Sequence, residues 1–129
     1  MRGGFRRDED GSQVVSHTLV QSLVVFIVLG LMQLAFALHV RNIAIDAASE
    51  GARYASLSGA SLIEGEARTR ALLNAGLHAD RIDVIEAHTE IQSGAPLIVM
   101  TVSTHLPVLG PFGPARTLTV RAHAWKEPT

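Results

Sequence analysis

The sequence predicts an α+β membrane protein. One long N-terminal transmembrane helix continues outside the bilayer into a short second helix and a small antiparallel sheet of about three strands. Three observations carry this. No Asp, Glu, Lys or Arg occurs from Gly11 to Val40. A proline-free, alanine-rich stretch follows without a break. Three β-rich segments, punctuated by Gly and Pro, then close the chain.

The span comes first. Leu19 to Leu38 reads LVQSLVVFIVLGLMQLAFAL, in which only Gln21, Ser22 and Gln33 are polar. As a helix it would be about 30 Å long, the thickness of a bilayer's hydrocarbon core. A soluble domain of 129 residues would rarely bury an uncharged helix on all sides. Ala35-Phe36-Ala37 also resembles a peptidase site, and Arg2, Arg6 and Arg7 form a positive start. The apolar run exceeds the usual signal core, however, and Asp8-Glu9-Asp10 interrupts the basic segment. Residues 14–40 are therefore read as the span, 1–13 as a polar cytoplasmic tail and 41–129 as an extracytoplasmic domain. The orientation follows from three arginines before the span against Arg41 and Arg53 after it.

No turn signal follows the span, so the helix is expected to run from about Val14 to Leu57, with Gly59 as its cap. Ala44, Ala48 (or Ala47), Gly51 and Ala55 recur at helical spacing and make a stripe of small residues. Glycine in mid-helix costs about 0.5–1 kcal/mol relative to alanine, which favours close helix packing there, expected against partner subunits. Asp46, Glu50 and Arg53 fall on another stripe, where neighbours can pair weakly. Ser61 and Glu64 fit a capping box that opens a second helix to about Ala75, with Gly76 at its end.

Strands are expected over Ile82 to Ile91, Leu97 to Leu106 and Thr117 to Trp125. Ser93-Gly94-Ala95-Pro96 would make the first turn and Pro107 to Pro114 a longer loop. Ile98, Met100 and Val102 share one face, as do Leu118, Val120, Ala122 and Ala124.

Composition narrows function. A net charge of -1 gives no basic face for nucleic acid, and the absence of cysteine excludes disulfides and thiol chemistry. His105 and His123 fall opposite the apolar face, and His88 can join them; three histidines that converge on one sheet face can bind zinc. No close histidine pair or H-E-x-x-H is present, and solvated strand histidines are the better reading. Serine-hydrolase and phosphate-loop motifs are also missing. No enzyme, cofactor or metal is expected.

The most distinctive residues are Leu38-His39-Val40-Arg41-Asn42 and Asp46 through Ala55, reading DAASEGARYA. With the preceding apolar helix, they resemble the TadE-like family, small pseudopilins of tight-adherence (Flp-type) pilus assembly systems. The family pattern is an apolar helix, the Arg41-Asn42 pair, then Glu50-Gly51-Ala52-Arg53-Tyr54 in an alanine-rich setting. Leu118 to Ala124 also looks like the family's last strand. The resemblance implies a non-enzymatic pilin-like subunit or membrane-anchored assembly factor. Its partners would be membrane lipid, other pilus-assembly or pilin-like membrane proteins and a prepilin peptidase. It further implies cleavage between Gly11 and Ser12, although Ser16 stands where the family usually has glutamate. The alternative is a secreted domain, released by signal peptidase after Ala37, that binds a ligand or metal.

Overall fold

The computed structural model describes residues 4–106 and 116–128. The loop expected over Pro107–Pro114 lies outside the described residues. The chain divides into two units, residues 1–35 and 36–129. Its elements are helices α1 (Gly4–Ser56) and α2 (Leu62–Gly76), a short helical turn (Ala79–Arg81), and strands β1 (Ile82–Gln92), β2 (Ala95–Leu106) and β3 (Arg116–Trp125).

α1 begins earlier than the expected Val14. The charged residues before Gly11 include Arg and Glu, which are good helix formers. One glycine does not stop a helix whose every added residue gains a hydrogen bond. In the first unit, α1 exposes large apolar side chains all round, including Leu19, Leu23, Phe26, Leu29 and Leu34. Two hydroxyls bond back to the helix: Thr18 Oγ1 donates to the Val14 carbonyl at 2.8 Å, and Ser22 Oγ to that of Thr18 at 2.8 Å. Polar groups on an apolar helix are satisfied locally in this way when no water is at hand. The helix is long and apolar enough to cross a membrane.

In the second unit the same helix becomes one-sided. Val40, Ala44, Ala47, Ala48, Ala52 and Ala55 are buried at spacings of three, four and seven, while Asn42, Asp46, Ser49, Glu50 and Arg53 are exposed. After Ser56 the chain reverses through Gly59, whose φ is 84°. α2 then opens with the expected box. Ser61 Oγ accepts from the Glu64 amide at 3.2 Å, and the Ser61 amide donates to Glu64 Oε2 at 2.7 Å. Leu73 and Leu77 deliver the apolar side of α2 to the core.

The sheet has the order β1-β2-β3, antiparallel throughout. Ile85–Val102–Val120 and Ala87–Met100–Ala122 form rows across the three strands on the face that joins the core. The first turn is tighter than expected. Ser93 and Gly94 alone make it, both with positive φ (53° and 81°), a form whose twist matches that of the strands. Ala95 and Pro96 belong instead to β2, paired with Gln92 and Ile91. Proline is tolerated there because its carbonyl accepts from Lys126 at 3.1 Å, so the missing N–H falls at the β3 end of the ladder. The bonds to β1 are made by its neighbours.

Candidate functional site

The residues of the A-x-E-G-A-R-Y-A segment divide between two sides of α1. Arg41, Asn42, Glu50, Arg53 and Tyr54 are exposed, whereas Ala44, Ala48, Gly51 and Ala55 are buried. The buried alanines lie within the chain's own core, and Gly51 and Ala55 meet α2. A Cβ added to Gly51 would strike Thr69 Oγ1 and come within 2.9 Å of the Gly65 carbonyl oxygen. At these two positions the stripe approaches an intramolecular partner. The reason is local: α2 carries its own small residues, Gly65 and Thr69, at helical spacing, so the two backbones meet. Asp46, Glu50 and Arg53 form no ion pair; among the described residues the ion pairs are His88–Glu90 and His105–Asp83.

Gly11, Ser12 and Ser16 all lie on α1, exposed. α1 is also continuous through Ala35-Phe36-Ala37.

The histidines on the strands share the face opposite the core but do not converge. His88 and His123 flank Val99 in one row, about 10 Å apart across two strand spacings. His105 is six residues further along β2, roughly 20 Å away. His88 Nε2 lies 2.8 Å from Glu90 Oε1, and both are exposed. That hydrogen bond is the main cause that holds the Glu90 carboxyl below its ordinary value, with weaker help from Arg121 and His123. His105 Nε2 is 3.7 Å from Asp83 Oδ2. Among the described residues, no three His, Asp or Glu side chains are placed to hold a metal ion. Val99 and Leu97 are buried on this outward face, Val99 between His88 and His123 and Leu97 between Glu90 and Trp125.

Two features escaped the sequence. The amide of Ala87, on edge strand β1, donates to Glu66 Oε1 of α2 at 2.8 Å, so a side chain covers part of the sheet edge. Arg81 stacks over Phe36, with its guanidinium carbon 5.4 Å from the ring centre. Beside that pair is an open pocket of about 380 Å³, lined also by His39, Asn74 and His78. Both features pair residues more than twenty positions apart, with no local spacing to reveal them.

No curated protein and no solved structure matches the chain. Residues 18–53, from inside the apolar run through the alanine-rich half of α1, match the family model described as TadE-like protein, and over that segment the resemblance is shown.

Proposed function

We propose that the chain is a membrane-anchored, non-enzymatic component of a tight-adherence pilus machine, either a pilin-like subunit or an assembly factor. One observation carries this reading. The segment that matches the TadE-like family joins an apolar helix, its side chains exposed all round, to a helix built into a folded domain. A helix of this kind holds a small domain at the membrane surface and presents it to neighbours. The arginines ahead of the span favour a cytoplasmic N-terminus and an extracytoplasmic domain. With the small-residue stripe used internally, the surfaces left for partner subunits are the apolar span and the polar side of α1 formed by Asn42, Asp46, Glu50 and Arg53.

The N-terminal residue and mass of the mature protein from native membranes test this reading. A start at Ser12 would show prepilin-type processing despite Ser16. A start near Met1, in carbonate-resistant membranes, would identify a permanent anchor. A soluble form beginning at Leu38 would overturn the proposal in favour of a secreted domain.

A further inference from the structure

The pocket beside Arg81 combines three properties that rarely coincide. The first is an uncompensated cation. Arg81 belongs to no ion pair among the described residues, although Asp80 and Asp83 are close in sequence. Its guanidinium carbon stands 5.4 Å from the Phe36 ring centre, a contact that consumes none of its N–H donors as conventional hydrogen bonds. The second is a negative pole. Asn74 to Leu77 bring the C-terminal turn of α2 to the same pocket, and the last turn of a helix carries free carbonyls and partial negative charge. The third is position along the chain. Phe36 lies in the last turn of the apolar run, and His39 directly follows its end at Leu38.

A bare anion would suit the guanidinium but not the carbonyls, and a bare cation the reverse. A group with a phosphate next to a primary ammonium suits both. We infer that this pocket binds a phosphoethanolamine group, carried by an aminophospholipid of the bilayer at the level where the apolar run of α1 ends. Arg81 offers the phosphate a planar fork of donors, and His39 and Asn74 add polar side chains at the rim. The ammonium donates to the carbonyl end of α2. A quaternary ammonium cannot make that last contact, because it has no N–H. The lipid source rests on the membrane anchoring proposed above; the headgroup chemistry does not.

The test is native mass spectrometry of the full chain in dodecyl maltoside micelles with equal amounts of phosphatidylethanolamine, phosphatidylcholine or phosphatidylglycerol. Retention of phosphatidylethanolamine should exceed that of the other two by about tenfold, the worth of one charge-assisted contact. Arg81→Gln should lower retention of phosphatidylethanolamine and phosphatidylcholine alike by about tenfold, and Arg81→Lys by less, while Arg121→Gln on the sheet changes nothing. Circular dichroism of each variant confirms folding. Equal retention of the three lipids, or no effect of Arg81→Gln in a folded chain, would overturn the inference. So would stronger retention of phosphatidylglycerol. Soluble phosphoethanolamine retained at the same concentration would move the source from the bilayer to the free ester. If the chain fails to enter micelles, the anchoring reading falls, and titration with soluble phosphoethanolamine still decides the pocket.

Discussion

Gly51 and Gly65 face each other where α1 crosses α2, and each backbone occupies the space a side chain on the other would need. A Cβ on Gly65 would lie 2.8 Å from the Gly51 carbonyl oxygen and 2.5 Å from the Ala55 Cβ. Gly65→Ala is therefore expected to destabilise the domain. Overpacking costs about 1–3 kcal/mol, of which the better helix propensity of alanine returns about 0.5–1 kcal/mol. Gly51→Ala meets a side chain as well, the Thr69 hydroxyl, and Thr69→Ala should partly rescue it. Thermal unfolding followed by circular dichroism reads both. An unchanged midpoint for Gly65→Ala would show that the helices can part at no cost.

Thr104 sits on the core face of β2, fully buried, and its Oγ1 has no hydrogen-bond partner. A buried, unsatisfied hydroxyl costs about 1–3 kcal/mol, so Thr104→Val should raise stability by about 1 kcal/mol. Denaturant titration measures it. A loss of similar size would mean that the hydroxyl has a water or protein partner.

Glu66 holds the Ala87 amide on the open side of β1. Removing the acceptor with Glu66→Ala should cost about 1–2 kcal/mol, in the range of bonds to charged groups, and Glu66→Gln should retain much of it. Hydrogen exchange at Ala87 is the specific readout. Protection there should drop in Glu66→Ala while Met100 at the centre of the sheet is unaffected.

The His88–Glu90 contact makes a pH prediction of definite sign. The Glu90 carboxyl titrates below its ordinary 4.5 when folded, because the charged form accepts a hydrogen bond from His88. Its contribution to stability is thus present in full above the unfolded value and is lost as pH falls through the depressed folded value. The pair is exposed, so the contribution is small. A carboxyl NMR titration should show the midpoint move up towards 4.5 in His88→Ala. An unmoved midpoint would leave Arg121 and His123 as the cause.

Much of the architecture was legible because its causes are local. The uncharged run from Gly11, the Ser61–Glu64 box and the alternation from Ile98 to Val102 each act over a few residues, and each appears where expected. The ends of elements were read less well. Pro96 looked like a turn residue, yet the direction of its missing N–H depends on where β3 lies, which local sequence does not state. Within the stripe from Ala44 to Ala55, the meeting of Gly51 and Ala55 with α2 depends on the placement of Gly65 and Thr69, which local sequence does not state. The Arg81–Phe36 pair was illegible for the same reason, since its members are far apart in sequence and no local spacing links them.

After β3, the Glu127 amide donates to the Ser56 carbonyl at 2.9 Å, which returns the chain to the last turn of α1. Ser56 is twenty residues beyond Phe36, roughly 30 Å along the helix. A label placed at Glu127 would thus sit at the opposite end of this segment of α1 from the Arg81 pocket.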